Sequence, residues 1–179
     1  MVRLFHFSDD PAIKVFEPRP IRVPSERAPG RAWLNGPLVW AVEQRRQAMY
    51  LFPRDCPRIL IWATETTTAM DRRRWWGDSA CAMVAHMERA WLARVEAAAI
   101  HRYELPARHF EVLDDAGMWV ARRAVEPTAM ETITNLPAAL AGEGVELRLL
   151  DDLTPLNAVW RSTVHASGVR LRNARQWDR

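Results

Sequence analysis

A histidine and a serine stand two residues apart in the first hydrophobic segment of the chain, residues 4–8. Apolar and polar side chains alternate there, which predicts a half-buried strand with His6 and Ser8 on one face and two phenylalanines on the other. The aromatic rings would anchor the strand in the core, and an imidazole beside a hydroxyl could then bind a sugar hydroxyl or a phosphate. The simpler interpretation is a histidine at a strand edge that hydrogen-bonds to the backbone.

Chemically reactive side chains are also concentrated around Cys56, between Tyr50 and Arg58. Arg54 and Arg58 flank this cysteine and would stabilise a thiolate, which is the nucleophilic form of the side chain. Nucleophilic catalysis also needs a base, and the nearby sequence contains no histidine. A structural loop cysteine is therefore the favoured interpretation, and a nucleophile is the alternative.

Carboxylates that could take part in acid–base chemistry occur late in the chain. Glu126 and Glu131 lie on or beside a predicted late strand, where either could act as a general acid or base or simply face solvent. The aspartate pairs at 114–115 and 151–152 could bind metal or act catalytically. Each pair precedes the boundary of a predicted element, however, and this position favours a role in turns.

Several common functional motifs are absent from the sequence. It contains no GxGxxG, GxxxxGKS/T, GxSxG or HExxH pattern, the usual signatures of Rossmann dinucleotide binding, P-loop phosphoryl transfer, serine hydrolases and zincins. Its two cysteines, Cys56 and Cys81, form neither a CxxC motif nor a Cys/His metal spacing. We therefore expect neither a disulfide framework nor a bound metal.

The elements that would position these residues are short and mixed. Strands and helices follow one another without regular βαβ alternation, which favours an α+β fold over a doubly wound parallel sheet. We predict a single domain over residues 1–179 with split mixed or antiparallel sheets and short helices, a long irregular loop at 16–37, and a frayed Arg-rich tail at 170–179. Strands are predicted at 4–8, 37–42, 58–62, 82–87, 99–105, 117–122, 124–134 and 145–150. Helices are predicted at 43–52, 88–98, 107–113 and 155–165, with a short helix that ends at Gly77 and another capped by Asn135.

Composition restricts the class of protein further. The chain has 179 residues and a mass of 20.6 kDa, and 49% of its residues are hydrophobic, enough to build a sizeable core. No window approaches the run of about 18 apolar residues that spans a bilayer. The N-terminus turns acidic before a signal peptide could form, so we expect a cytoplasmic protein without a membrane partner. A pI near 9.4 permits a nucleotide, a phosphosugar or a nucleic acid as partner but requires none of them.

Several runs of the sequence resemble an uncharacterised family of small bacterial proteins, and the similarity covers nearly the whole chain. The runs are LFHFSDDPAIKVFEPRP, PLVWAVEQRRQAMYLFPRDCPRI, HRYELP, MWVARRAVEP and HASGVRLRNA. More distantly, the first strand is similar to that of ADP-ribosyltransferase-like proteins, in which a histidine followed by a hydroxyl residue binds the ribose of NAD. The run VWAV and the helix that contains Ala48, Met49 and Tyr50 resemble the second strand of that fold and the helix after it. This resemblance implies a split α+β sandwich.

The resemblance to ADP-ribosyltransferase-like proteins also implies roles for individual residues. His6 and Ser8 match the ribose-binding motif. An aromatic side chain, Tyr50 or Trp40, would stack on the nicotinamide of the bound NAD.

A third motif of that family is a glutamate on a late strand, which polarises the ribose hydroxyl during transfer. The stretch where it would be expected, residues 117–120, contains no acid, and Glu126 or Glu131 would then take its place. Arg19 or Arg54 would contact the pyrophosphate.

Three functions follow from these features. The first is a nucleotide-using enzyme, most concretely an NAD-dependent ADP-ribosyltransferase-like transferase or an NAD hydrolase. The second is a non-catalytic ligand-binding or protein-binding domain of the same fold. The third is a different small-molecule enzyme that uses Cys56 or a carboxylate pair.

Overall fold

The computed structural model describes residues 2–21, 24 and 26–177, and the chain divides into two compact units. Unit 1 comprises residues 1–47 and 101–132, and unit 2 comprises residues 48–100 and 133–179. The described strands are β1 Leu4–Ser8, β2 Val39–Glu43, β3 Arg58–Trp62, β4 Met83–Glu88, β5 Ile100–Leu105, β6 Glu111–Val112, β7 Met118–Ala121, β8 Ala129–Ile133, β9 Val145–Leu150 and β10 His165–Val169. The α-helices are α1 Ala69–Trp76, α2 Leu92–Ala97 and α3 Leu136–Gly142.

The sheet of unit 1 has the strand order β6-β7-β2-β1-β5-β8, so β1 lies in its interior. β1 pairs antiparallel with β5, and β2 pairs antiparallel with β7. One face of this sheet is covered by apolar side chains that follow β1 and flank β7, namely Ile13, Phe16, Ala107, Phe110 and Val125. On the other face Leu34 and Leu38 pack with Val120 and with the half-buried Trp40.

The sheet of unit 2 has the order β10-β3-β4-β9, with β9 parallel to β4 and the other pairs antiparallel. All five residues of β3 are buried, as its continuous apolar run predicts. α1 begins where the Thr68 hydroxyl accepts a hydrogen bond from the Asp71 backbone N–H. It ends at Gly77, whose φ of 62° lies in the left-handed region that glycine adopts without a steric penalty.

These observations confirm the prediction of an α+β fold built from an antiparallel sheet, a mixed sheet and short helices. The predicted strands at 4–8, 37–42, 58–62, 82–87, 99–105 and 145–150 correspond to β1 to β5 and β9 within two residues, and the two helices with predicted ends at Gly77 and Asn135 form as α1 and α3. The single domain over residues 1–179 stays a prediction. Within the described residues, no helix combines the length and apolarity needed to cross a bilayer.

Two predicted helices are wrong. Residues 155–165 form short 3-10 turns at Thr154–Leu156 and Val159–Arg161, and His165 then begins β10. β10 pairs with β3 at all five of its positions, so a distant strand supplies the hydrogen bonds that a local helix would have made. Residues 107–113 likewise divide into a 3-10 turn at Ala107–His109 and β6, which pairs with β7.

The segment at 43–52 forms a 3-10 helix at Gln44–Tyr50 instead of an α-helix. In the long loop predicted at 16–37, Phe16 and Arg19 make isolated β-bridges, and Ala32–Asn35 form a 3-10 turn, while residues 22, 23 and 25 lie outside the described residues. In the tail predicted to fray at 170–179, Leu171–Asn173 form another 3-10 turn, and residues 178–179 lie outside the described residues.

One titratable side chain lies inside the sheet of unit 2. His86, in the middle of β4, is 4% exposed, and its Nδ1 has no hydrogen-bond partner among the described residues. Burial, followed by the positive charge of Arg148, lowers the pKa of His86 to about 4. The folded protein therefore holds a neutral imidazole at pH values where an unfolded histidine is already protonated.

We predict that His86 makes unit 2 less stable in mild acid. His86 takes up a proton near pH 6.5 in the unfolded chain and only near pH 4 in the folded chain. The free energy of unfolding is therefore unaffected by His86 above about pH 6.5 and falls by about 3 kcal/mol on acidification to about pH 4. His86→Leu should remove most of this pH dependence, which urea unfolding across the range would measure. His101→Leu, at a half-buried histidine, should keep the parental dependence. An unchanged slope in His86→Leu would contradict the assignment.

Candidate functional site

The candidate site in unit 1 lies where β1 separates from β2. β1 pairs with β5 at each of its five positions, whereas the described pairs with β2 are limited to Leu4↔Glu43 and Phe5↔Val42. Beyond Phe5 the His6 side chain makes a hydrogen bond to β2, since its Nδ1 lies 2.8 Å from the carbonyl oxygen of Trp40. A carbonyl can only accept, so Nδ1 carries the proton and the imidazole is held in a defined orientation.

The His6 ring is half-buried and covered by an aromatic side chain from the segment that follows β1. The Phe16 ring lies 4.6 Å from the His6 ring and meets the Tyr103 ring edge-on at 5.2 Å. Phe16 is fixed by two backbone hydrogen bonds to Val125, and the Tyr103 hydroxyl donates to the carbonyl of Asp10 at 2.7 Å. The segment after β1 therefore folds back over the face that carries His6.

Ser8 shares this face of β1 but plays a clear structural part. It is 4% exposed, and its hydroxyl accepts a hydrogen bond from the Asp10 backbone N–H at 3.1 Å. The Asp10 carboxylate in turn accepts from the Ala12 N–H at 2.8 Å, so both side chains shape the turn that ends the strand. The predicted alternation of β1 is thus observed, with His6 and Ser8 together, while their ligand roles stay predictions.

The other candidate aromatic of unit 1, Trp40, lies on the opposite face of the sheet from His6. Val39 and Ala41 pack with Leu4, on the face of His6, whereas the intervening Trp40 packs beside Val120 on the other face. The Trp40 indole N–H is buried without a partner among the described residues. His6 and Trp40 are therefore joined through a backbone carbonyl but do not present their rings to the same side.

Glu131 also lies away from the His6 face. Its carboxylate accepts a hydrogen bond from Arg102, and the Arg102 guanidinium lies 4.8 Å above the ring of Phe5, on the face opposite His6. Arg102 additionally donates to the amide oxygen of Gln47 at 2.9 Å. Because the Glu131 side chain is 60% exposed, water screens this ion pair and it contributes little stability.

The remaining candidates of unit 1 are exposed side chains on anchored backbone. Arg19 exchanges two backbone hydrogen bonds of 3.2 Å with Leu38, directly before β2. Glu126 follows the buried Val125 and faces solvent. Tyr50 and Arg54 belong to unit 2, where Tyr50 ends a 3-10 helix and the Arg54 carbonyl accepts a hydrogen bond from Arg170.

A carboxylate that sequence reasoning did not single out, Glu43, lies on the His6 face. It pairs in register with Leu4, its side chain is 14% exposed, and it accepts hydrogen bonds from the Trp119 indole N–H at 2.9 Å and from Arg45. The alternation of β2 contains the signal, since Val39, Ala41 and Glu43 share one face. Whether Glu43 shares a face with His6 depends on the β1–β2 register, and the sequence does not specify that register.

The aspartate pairs serve turns. Asp152 accepts hydrogen bonds from the backbone N–H and the hydroxyl of Thr154, and these bonds lower the pKa of its carboxyl group. The backbone carbonyl of Asp115 accepts from the Met118 N–H at 2.8 Å. Among the described residues, no three His, Cys, Asp or Glu side chains are grouped as metal ligands.

Cys56 lies in a fully buried position in unit 2. It is 0% exposed, and burial raises the pKa of its thiol to about 11, with only partial opposition from the Arg58 charge. Arg58 instead donates to the carbonyl oxygens of Met49 and of Cys56 itself. The thiolate stabilisation suggested by the flanking arginines is therefore outweighed by desolvation, and the geometry favours a structural cysteine.

We predict that Cys56 is unreactive toward thiol reagents in the folded protein, because the attacking species is the thiolate and its fraction near pH 8 is about one in a thousand. Titration with a chromogenic disulfide should detect only the half-buried Cys81 in the native state and both cysteines in denaturant. In Cys81→Ser the native signal should disappear. Rapid native modification of that variant would show that Cys56 is accessible as a nucleophile.

Comparison with known protein families finds a match over most of the chain. A family model described as a family of unknown function, DUF6886, matches residues 5–174. No curated protein and no solved structure matches the chain. The match agrees with the resemblance to an uncharacterised family and spans segments of both units. The protein therefore belongs to the DUF6886 family, whose function is unknown.

Proposed function

We propose that the protein is a nucleotide-using enzyme with an ADP-ribosyltransferase-like fold, either an NAD-dependent transferase or an NAD hydrolase, and that unit 1 binds the ribose of the nucleotide at His6. The observation that carries this proposal is the separation of β1 from β2 at His6. A strand in the interior of a sheet normally satisfies its backbone groups along both edges. Here the ladder stops at Phe5 although both strands continue, and an imidazole occupies the gap.

The orientation of His6 suits a sugar ligand. Since Nδ1–H is directed at the Trp40 carbonyl, the acceptor nitrogen of this tautomer is Nε2, and the proposal assigns it to a ribose hydroxyl. Ser8, on the same face, accepts from Asp10 and retains one hydroxyl proton to donate. The arrangement therefore supplies one acceptor and one donor, the complement that a pair of ribose hydroxyls requires.

In this proposal Glu126 or Glu131 provides the carboxylate of the transfer step. Cleavage of the bond between nicotinamide and ribose passes through a transition state with oxocarbenium character, and a nearby carboxylate stabilises the positive charge that develops. Arg19, which belongs to unit 1 like His6, would contact the pyrophosphate, while the roles of Trp40, Tyr50 and Arg54 stay predictions of the resemblance.

A second candidate function is a nucleotide-binding module without catalysis. It is favoured by the position of Glu131, which pairs with Arg102 on the face opposite His6, and by the exposed, unshielded position of Glu126. Binding and turnover therefore have to be measured separately.

We predict that millimolar NAD or ADP-ribose raises the melting temperature of the parent protein, because a ligand that binds only the folded state stabilises it. His6→Asn should lose this shift but keep its fold, since the asparagine amide N–H can replace Nδ1–H at the Trp40 carbonyl while nothing replaces Nε2. His6→Gln should keep the NAD-dependent shift, but it should lower the free energy of unfolding without ligand by about 1 kcal/mol.

The matched control for this experiment is His109→Asn, the same substitution at another half-buried histidine of unit 1. It should retain the full shift. The absence of any shift in the parent, or an equal shift in His6→Asn, would contradict ribose binding at His6.

We further predict that Glu131→Gln or Glu126→Gln abolishes NAD cleavage while it leaves NAD affinity within about twofold, because a group that acts on the transition state affects the rate more than binding. Release of nicotinamide should be measured in the parent and both variants, with Glu111→Gln, an exposed glutamate on β6, as control. Equal turnover in all variants would exclude these carboxylates. NAD binding without turnover in the parent would favour the binding module.

A further inference from the structure

A buried arginine lies at the start of β3 in unit 2. Arg58 is 2% exposed, and its guanidinium lies 5.0 Å above the Phe52 ring. Its Nε donates to the Met49 carbonyl at 2.8 Å and its Nη1 to the Cys56 carbonyl at 2.9 Å. A guanidinium carries five N–H donors, and these two bonds use one on Nε and one on Nη1, which leaves three donors, among them both of Nη2.

Arg58 also has no acidic partner. Among the described residues no carboxylate pairs with it, and the two carbonyl oxygens that it contacts are neutral. Proteins rarely bury a full charge unless an opposite charge compensates it. Burial lowers the pKa of Arg58 to about 10, which still leaves the side chain charged at neutral pH.

A second arginine lies beside the first. Arg170 directly follows β10, whose last residue Val169 pairs in register with Arg58. The Arg170 Nε donates to the Arg54 carbonyl at 3.2 Å, and its positive charge opposes that of Arg58. Arg170 adopts a left-handed backbone with φ of 57°, a conformation that glycine or asparagine would adopt at lower cost.

We infer that Arg58 and Arg170 form an oxyanion-binding site in unit 2, at the start of β3 and the end of β10, that takes a phosphate group. A bound phosphate would neutralise the buried charge of Arg58, relieve its repulsion from Arg170, and accept the hydrogen bonds that Nη2 does not make to the protein. Phosphate suits the site because its several acceptor oxygens match the planar donor fork of arginine, which often binds such anions through two hydrogen bonds.

Holding the neighbouring loop in place does not by itself explain why a charged side chain is buried at position 58. Its two hydrogen bonds to carbonyl oxygens tie down the segment between Met49 and Cys56, but a neutral donor could serve that purpose without a buried charge. The nearby loop is also held independently, because the Asn173 side-chain amide donates to the Asp55 carbonyl at 2.8 Å. The phosphate site uses residues of unit 2 only and does not rest on the proposed function of His6.

The test compares sodium phosphate with sodium chloride at equal ionic strength and neutral pH, using the melting temperature and the line width of the phosphorus resonance of inorganic phosphate. In the parent protein, phosphate should raise the melting temperature to a saturating value, and its resonance should broaden. Arg170→Gln should weaken phosphate binding about tenfold or more, because it removes charge-assisted hydrogen bonds. Arg58→Lys should also weaken it, since an ammonium cannot reproduce the fork.

The matched control is Arg172→Gln, which removes the same charge from an exposed residue two positions along the chain. It should bind phosphate like the parent, and so should His6→Asn, which separates this site from the ribose proposal. Equally weakened phosphate binding in Arg170→Gln and Arg172→Gln would show that phosphate responds only to the net charge of the protein, and it would overturn the inference. An absence of any phosphate-specific effect in the parent would overturn it as well. If Arg58→Lys does not fold, Arg170→Gln decides the question alone.

Discussion

The position of β1 between two neighbouring strands is the constraint on which unit 1 depends. Complete pairing with β5 fixes which side chains of β1 face each way, and the early end of its pairing with β2 leaves a gap that His6 fills by donating to the Trp40 carbonyl. A one-residue slip of β1 would exchange its two faces and move the imidazole to the other side of the sheet. The register of β1 therefore decides whether a ligand site can exist at His6 at all.

The sequence predicts those parts of the fold that depend on local pattern. The alternation in β1, the apolar run of β3 and the caps of α1 and α3 are each specified by a few neighbouring residues. The sequence does not predict β10, because this segment becomes a strand only by pairing with β3, more than 100 residues earlier, and no local periodicity reports a partner at that distance. The same holds for β6, where two exposed residues form a strand only because the edge of β7 is available.

The candidate site shows the same division between local and long-range information. That His6 and Ser8 share a face follows from alternation within one strand. Long-range pairing decides the rest. Glu43 lies on this face and Trp40 on the opposite one because of the registers of β2 and β5, and Glu131 lies on the opposite face because it pairs with Arg102. Resemblance to a family supplies residue types in chain order, but a hydrogen-bonded register determines which of them can reach one ligand.

Burial changes the chemistry of unit 2 in ways that neighbouring charges in the sequence do not reveal. The arginines that flank Cys56 suggest an activated thiol, yet burial raises the pKa of the thiol more than the Arg58 charge lowers it. Arg58 donates its hydrogen bonds to carbonyl oxygens instead. The same desolvation keeps His86 neutral, where loss of a proton removes the cost of a buried charge. Arg58 cannot take that route, since its pKa stays far above neutrality even after burial. A buried histidine can thus be tolerated by changing its protonation state, whereas a buried arginine needs an opposite charge, and among the described residues the protein does not provide one.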